Sequence, residues 1–270
     1  KGDIYKTGFR GLDMKLGGLR PGTLNIIAAR PGVGKTALVI NIATNVATIW
    51  RKPVNIFSLE MSKSEIGNRI LASRSKADVS KLSRAQVTPE DEEELAGVFK
   101  ELSDIPIYID DNSSVNPASM LSICKQLKAR GQLGLVIVDY LQLMTMPGRG
   151  NNSSRQQEVA DISRALKVMA KELEVPIIAL SQLSRGTEKR EDHTPMLSDL
   201  RDSGAIEQDA DAVIFIDREV SPKKDATPPP PVQDARLIVA KNRHGEVGTV
   251  NLRWDGQFTR FSDVEYRYDN

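Results

Sequence analysis

Short apolar runs alternate with amphipathic stretches along almost the whole chain. The runs are rich in Val, Ile and Leu, and several are apolar at every position, which is typical of strands buried on both faces of a parallel sheet. They occupy residues 23–28, 54–59, 107–109, 135–138, 177–180, 212–216 and 237–240. We therefore predict an α/β fold, with a mainly parallel twisted sheet and helices on both of its faces.

The starts of several helices are marked by capping residues and prolines. Ser62 and Glu65 have the spacing of a capping box, and proline follows both Thr88 and Asn116, where it would take the first helical position. Apolar residues at helical spacing predict a long helix over about residues 155–172.

The remaining pattern predicts a closing hairpin and two turn-rich segments. Residues 248–261 alternate between apolar and polar positions around an Asp-Gly turn, which indicates a C-terminal β-hairpin. Residues 146–154 and 222–231 are rich in glycine, serine or proline and carry few apolar residues. We predict one domain over residues 21–270, preceded by a linker at residues 1–20.

Composition excludes several classes of protein. The chain has 270 residues, 40% of them hydrophobic, and a formal net charge of +1, so bulk charge does not indicate a nucleic-acid binder. Its one cysteine, Cys124, excludes an internal disulfide and predicts a reducing cytoplasmic location. It falls in a helical pattern, so we interpret it as a core residue. No apolar run approaches the ~20 residues of a membrane span.

A candidate for chemistry lies at residues 29–36, between an apolar run and a helical stretch. A strand, a glycine-rich turn ending in Gly-Lys-Thr and a helix start form the phosphate-binding site of many nucleoside triphosphatases. Backbone N–H groups bind phosphate oxygens, the lysine reaches the β- and γ-phosphates, and the threonine hydroxyl ligates Mg²⁺. We call these residues the phosphate cradle: Ala29, Arg30, Pro31, Gly32, Val33, Gly34, Lys35 and Thr36. Ala29 replaces the first glycine of the usual pattern.

Polar residues follow three of the predicted strands, where ligands bind in parallel sheets. Asp139 could face a Mg²⁺ held by Thr36, or could simply end its strand in a turn. Glu60 could accept a proton from an attacking water, or could be an acidic residue that favours the start of the next helix. Gln182 could sense the γ-phosphate, although a polar residue at the end of a strand is common.

Several segments in the same order resemble the bacterial replicative DNA helicases of the DnaB family. They are residues 7–13, the phosphate cradle, and residues 57–61, 108–111, 138–143, 155–159, 179–185, 198–211 and 240–249. The resemblance covers essentially the whole chain except the proline-rich segment. It implies a RecA-like P-loop ATPase that translocates on single-stranded DNA as a hexameric ring and unwinds duplex DNA, with ATP and Mg²⁺ as cofactors.

The resemblance also implies roles for individual residues. Glu60 takes the water-activating role, Lys35 binds the phosphates and Gln182 is the γ-phosphate sensor. Lys241 and Arg243 resemble the pair that enters the neighbouring subunit's site and neutralises charge on the γ-phosphoryl group. Without the family, Lys-Asn-Arg after a strand is an ordinary solvated turn.

The DNA-contacting residues are likewise implied by the resemblance. Arg201, Asp202 and Gly204 lie in a stretch similar to the family's loop that grips the phosphate backbone, and Arg149 and Arg155 flank a second such loop. No aromatic residue is interleaved with these arginines, so we expect sequence-independent contacts to the backbone.

The family context sets the expected partners and the alternatives. Members carry an N-terminal collar domain that engages primase, and we expect the collar to be absent here, with primase and a helicase loader as partners of the full-length protein. A RecA-like recombinase that forms filaments is one alternative. An assembly factor in which ATP acts as a switch, without unwinding, is another.

Overall fold

The computed structural model describes residues 2–146, 154–183, 193–219 and 230–264. The two turn-rich segments predicted at residues 146–154 and 222–231 lie largely outside this part of the chain. The described strands are β1 (Leu24–Ala29), β2 (Val54–Ser58), β3 (Ile107–Asp110), β4 (Leu135–Asp139), β5 (Ile177–Gln182), β6 (Ala212–Asp217), β7 (Val232–Asn242), β8 (Gly248–Asp255) and β9 (Arg260–Asp263). The described α-helices are α1 (Arg10–Leu16), α2 (Lys35–Ile49), α3 (Lys63–Arg74), α4 (Val79–Ser83), α5 (Pro89–Leu102), α6 (Pro117–Ala129), α7 (Arg155–Leu173) and α8 (Gly204–Asp209).

All described strands belong to one sheet, with the order β3-β2-β4-β5-β1-β6-β7-β8-β9. The strands from β3 to β6 in this order pair in parallel, and β7, β8 and β9 continue the sheet in antiparallel pairs. The predicted α/β architecture and the C-terminal hairpin of β8 and β9 are therefore confirmed. We call the edge where the parallel strands end the carboxyl edge, and the opposite one the amino edge.

The core lies on both faces of the sheet because alternate strand residues point to opposite sides. In β1, Ile27 and Ala29 join a cluster with α1 and α2, whereas Ile26 and Ala28 join a second cluster with α6 and α7. Cys124 lies in the second cluster, and burial raises the pKa of its thiol to about 12. Its interpretation as a core residue is confirmed.

Local signals in the sequence explain where the helices begin. Ser62 and Glu65 form a reciprocal capping box at α3, and Thr88 and Asn116 cap α5 and α6 immediately before prolines. The predicted long helix is α7. Residues 5–19 include α1, whose Leu12 and Leu16 are buried in the first cluster. Among the helices of the described residues, none is both long and apolar enough to cross a membrane.

Two glycine-to-alanine substitutions should change stability in opposite directions. A Cβ on Gly134 would lie 2.4 Å from the carbonyl oxygen of Pro53, which also accepts the N–H of Leu135 at the start of β4. Gly134→Ala should therefore lower the free energy of unfolding by about 1–3 kcal/mol. Gly67 lies in α3 with open space around its Cβ position, so Gly67→Ala should raise it by about 0.5–1 kcal/mol. Urea unfolding of both variants tests this, and equal midpoints would contradict it.

Candidate functional site

The phosphate cradle joins the carboxyl end of β1 to the start of α2. Gly32 and Gly34 have positive φ angles of 76° and 110°, which only glycine adopts readily. A Cβ on Gly34 would also lie 3.0 Å from the ring of Phe261. Because the first N–H groups of a helix have no carbonyl partner within it, the start of α2 presents donors to an anion.

Lys35 is the first residue of α2 and lies over the cradle's neighbour Tyr140, with Nζ 4.4 Å from the ring centroid. Burial lowers the pKa of Lys35, and the carboxylates of Asp139 and Glu60 oppose that shift. The ammonium group thus lies in a partly dehydrated site and within the field of two carboxylates. A triphosphate would supply the negative charge that such a site favours.

Thr36 and Asp139 meet across the sheet, where the Thr36 hydroxyl donates to Asp139 Oδ2 at 2.8 Å. Asp139 ends β4 and is 1% exposed. Its burial raises the pKa of the carboxyl, although Thr36 and Lys35 act in the opposite direction. Within the described part of the chain, its Oδ1 atom is buried and has no hydrogen-bond partner.

This donor set fits Mg²⁺. The ion prefers oxygen ligands, and it is commonly held by one or two protein groups while phosphates and waters complete its coordination. A hydroxyl beside a carboxylate with an unpartnered oxygen provides those groups. Among the described residues, no three or more His, Cys, Asp or Glu side chains are grouped so that they could hold a metal ion.

Glu60 lies at the same edge, two residues beyond the end of β2. The pairing of Ser58 with Asp139 and the bond from the Leu59 N–H to the Asp139 carbonyl bring it beside the cradle. Its charge affects the pKa of Lys35, Asp139 and Tyr140. Ser62 and Glu65 form the capping box of α3, and Glu60 is not part of it.

Gln182 ends β5 and pairs with Ala29, so it lies directly beside the start of the cradle. Its backbone is fixed by Gln142, whose Oε1 accepts the Gln182 N–H at 3.2 Å and whose Nε2 donates to Ser181 Oγ at 2.7 Å. Gln142 was not predicted from the sequence. Its position three residues after Asp139, on a turn that follows a buried strand, is the signal that could have identified it.

Lys241 and Arg243 lie at the amino edge. Lys241 pairs with Val213 near the start of β6, and the Arg243 N–H donates to the Asp211 carbonyl. At about 3.3 Å per residue, the length of β1 separates this edge from the cradle by roughly 17 Å. Neither side chain can reach the cradle of its own chain.

Both cations bind the last carbonyls of α8. Lys241 Nζ donates to the carbonyl of Glu207, and Arg243 Nη2 donates to that of Gln208 at 2.6 Å. Burial and the neighbouring Arg243 lower the pKa of Lys241. Cations at the C-terminus of a helix are stabilised by its partial negative charge.

The proposed DNA-contacting residues are only partly described. Arg201 and Asp202 lie in a 3₁₀ helix, Leu197–Ser203, and Gly204 begins α8, while Arg149 lies outside the described residues. Arg155 begins α7 and donates to the carbonyls of Gln142 and Met144. A cavity of about 490 Å³ separates this helix from the end of β5, and its lining includes Gln142, Arg155, Gln182, Asp199 and Leu200.

Comparison with known proteins identifies relatives over nearly the whole chain. The family described as the DnaB-like helicase C-terminal domain matches residues 5–263. The replicative DNA helicase DnaB of Geobacillus stearothermophilus is 45% identical over 263 residues, which is 97% of this chain and 57% of that protein. The replicative DNA helicase DnaC of Bacillus subtilis is 44% identical over 272 residues, 100% of this chain and 59% of that protein. The chain thus spans just over half the length of these curated relatives.

Solved structures agree with the sequence comparison. One, described as an ATPase domain, superposes with a TM-score of 0.87 at 37% identity, and the match covers 98% of this chain and 93% of that one. A DnaB-like replicative helicase, described together with its interactions with primase, gives a TM-score of 0.86 at 37% identity, with 98% and 63% covered.

The buried carboxylate of Asp139 should make the metal-free protein less stable. Because the folded-state pKa lies above the ordinary value, stability falls as the pH rises through the ordinary aspartate pKa towards the folded one. Asp139→Asn keeps an acceptor for Thr36 but carries no charge. At pH 7, without nucleotide or metal, it should unfold at a higher urea concentration than wild type, and the difference should shrink towards pH 4. Added ADP with Mg²⁺ should stabilise wild type more than ADP with EDTA does, and should not do so in the variant.

Asp211→Asn is the matched control. Asp211 is also buried, but its Oδ2 atom lies 2.5 Å from Lys167 Nζ. Removing one partner of a buried pair costs about 3–5 kcal/mol, so this variant should be destabilised. A destabilised Asp139→Asn, or one with the full Mg²⁺ effect, would contradict the assignment of Asp139.

Proposed function

We propose that this chain, which belongs to the family of DnaB-like helicase C-terminal domains, is the ATP-hydrolysing motor of a replicative DNA helicase. Six copies form a ring, translocate on single-stranded DNA and separate the duplex. The observation that supports the proposal is that two groups of candidate residues lie at opposite edges of the sheet. The cradle, Asp139 and Glu60 lie at the carboxyl edge, whereas Lys241 and Arg243 lie at the amino edge.

Each residue at the carboxyl edge has a role in phosphoryl transfer. The backbone of the cradle and Lys35 bind the phosphates. Thr36 and Asp139 are the residues that would hold Mg²⁺, and the ion would supply positive charge next to the phosphates. Glu60 accepts a proton from the attacking water. Gln182 contacts the γ-phosphate. When hydrolysis removes the γ-phosphate, the contacts at the end of β5 change.

The position of the two cations supports a ring rather than a monomer. A cation that neutralises the γ-phosphoryl group contributes about 10³–10⁵ to the rate, so a site without one is nearly inactive. Because Lys241 and Arg243 cannot reach their own cradle, only the cradle of a neighbouring copy can receive them. Contacts between two different surfaces of one subunit generate a closed ring when the rotation closes.

Helix α8 connects the shared site to the proposed DNA loop. The helix begins at Gly204, two residues after Asp202, and its last carbonyls hold Lys241 and Arg243. When a neighbour's ATP draws these cations away, α8 loses two charge-assisted hydrogen bonds and the loop before it can shift. ATP binding at one subunit interface thereby changes the contacts of this loop with DNA.

The remaining partners are those of the larger protein. Arg201, Gly204 and Arg155 contact the phosphate backbone of single-stranded DNA, with Arg149 and Asp202 in the same loops. Primase and a helicase loader act on the full-length assembly in the cytoplasm. One related structure, a DnaB-like replicative helicase, is described together with its interactions with primase, which supports this part of the proposal.

Mixing two inactive variants should restore ATP hydrolysis. Lys35→Ala removes the pocket's lysine and Arg243→Ala removes the neighbour's cation, so each alone should lose at least ~100-fold in ATPase rate. In a mixed ring, the pocket of an Arg243→Ala subunit can lie beside a Lys35→Ala subunit. That pocket keeps its own Lys35 and receives Arg243 from the neighbour, so the shared site is intact. When the two variants mix randomly in equal amounts, about a quarter of the interfaces have this arrangement, so about a quarter of the wild-type rate should return.

The control mixes Lys35→Ala with Glu60→Gln. Both substitutions affect the pocket, so every pocket in the mixed ring is defective and no activity should return. Failure of the first mixture to recover, in oligomers shown by sedimentation to contain both variants, would exclude a shared site.

Unwinding should require turnover and not merely nucleotide binding. Wild-type protein with ATP and Mg²⁺ should displace a labelled strand from a forked duplex that carries a 5′ tail. Glu60→Gln should bind a fluorescent ATP analogue with nearly wild-type affinity, yet lose at least ~100-fold in both ATPase and displacement, because only proton transfer from water is impaired. A Glu60→Gln variant with normal hydrolysis would contradict the role of Glu60.

The same assay distinguishes the alternative functions. ATP hydrolysis without strand displacement by assembled wild-type protein would indicate a nucleotide-dependent switch. Open filaments instead of closed rings in electron micrographs of the ATP-bound protein would indicate a recombinase.

A further inference from the structure

Arg218 lies against the outer side of the phosphate cradle, and no pattern in the sequence pointed to it. It directly follows β6, the strand beside β1. Its Nη2 donates to the carbonyl of Gly32 at 2.9 Å, and its Nε donates to the carbonyl of Val33 at 3.2 Å. One guanidinium group therefore binds two successive carbonyls of the glycine-rich turn.

The antiparallel strands hold this guanidinium in place. Arg218 Nη1 donates to Gln233 Oε1 on β7 at 2.6 Å, and the guanidinium carbon lies 5.0 Å from the ring of Trp254 on β8. Burial lowers the pKa of Arg218, so part of its hydration has been replaced by these protein contacts. Hydrogen bonds to the cradle and to β7, together with the aromatic ring, therefore leave the Arg218 side chain little conformational freedom.

The geometry of the peptide bond gives these contacts a consequence for the cradle. In a trans peptide the C=O and N–H groups point in opposite directions. The carbonyl of Val33 and the N–H of Gly34 belong to one peptide, so a carbonyl turned outward to Arg218 turns the Gly34 N–H inward. Gly34 is the residue immediately before α2, where phosphate oxygens bind.

We propose that Arg218 is a positioning residue for the nucleotide, which holds the cradle in its phosphate-binding shape before a triphosphate enters. This inference rests on the proposed ATP site. Arg218 acts through backbone carbonyls and does not contact the nucleotide. It therefore contributes to binding of substrate and transition state alike, and its loss should raise KM and Kd while leaving kcat nearly unchanged.

The test compares Arg218→Gln and Arg218→Lys with Arg260→Gln as the matched control. Arg260 also lies over an aromatic ring of the C-terminal hairpin, 5.3 Å from the centroid of Phe258, but within the described part of the chain no hydrogen bond joins it to the cradle. Titration with a fluorescent ADP analogue and Mg²⁺ gives Kd, and ATPase kinetics give KM and kcat. Arg218→Gln should raise Kd and KM by about tenfold or more, with kcat within about threefold of wild type.

The conservative variant separates positioning from general stability. A lysine can donate to one carbonyl but cannot form the planar fork, so Arg218→Lys should restore part of the affinity. Arg260→Gln should behave as wild type.

Three outcomes would overturn the proposal: wild-type Kd and KM in Arg218→Gln, a loss confined to kcat, or an Arg218→Lys variant no better than glutamine when both are folded. If wild type and Arg260→Gln themselves bind no nucleotide, the proposed ATP site fails first.

Discussion

Parallel hydrogen bonding of β1 to β5 and β6 is the constraint on which the whole site depends. It places the end of β1 beside the ends of both neighbours, so that Ala29 lies next to Gln182 and the cradle lies next to Arg218. Strand β4, on the far side of β5, brings Asp139 to the same edge. An antiparallel neighbour would have placed its own carboxyl end at the opposite edge and dispersed these groups.

The groups collected at this edge do not stabilise one another fully. Asp139 keeps a buried oxygen without a partner among the described residues, and burial shifts the pKa of both Asp139 and Lys35 towards their neutral forms. In a site with neither metal nor phosphate, the unpartnered oxygen and the buried charges lower the stability of the fold. A cation and a triphosphate would satisfy both, which is how a site can be stable enough to fold and still favour its ligand.

The antiparallel strands beyond β6 serve two separate purposes. At the carboxyl edge, Gln233 and Trp254 hold Arg218 against the cradle, and Phe261 lies against Gly34. At the amino edge, the end of β7 carries Lys241 and Arg243 away from the cradle of the same subunit. In the proposed ring, one extension of the sheet would therefore support the subunit's own pocket and complete that of its neighbour.

The sequence by itself determined the local features. Runs of apolar residues located the parallel strands, capping residues located the starts of α3, α5 and α6, and Gly-Lys-Thr located the cradle, because each of these signals lies within a few consecutive residues. Asp139 and Glu60 could be proposed because each follows a buried strand.

Only the tertiary structure decided which of these residues meet. Thr36 and Asp139 are 103 residues apart in the chain, and Val33 and Arg218 are 185 apart. The order of the strands brings such pairs together, and that order follows from the packing of helices on both faces rather than from any local pattern. For the same physical reason, the sequence could not show that Arg218 contacts the cradle or that Lys241 and Arg243 lie at the amino edge.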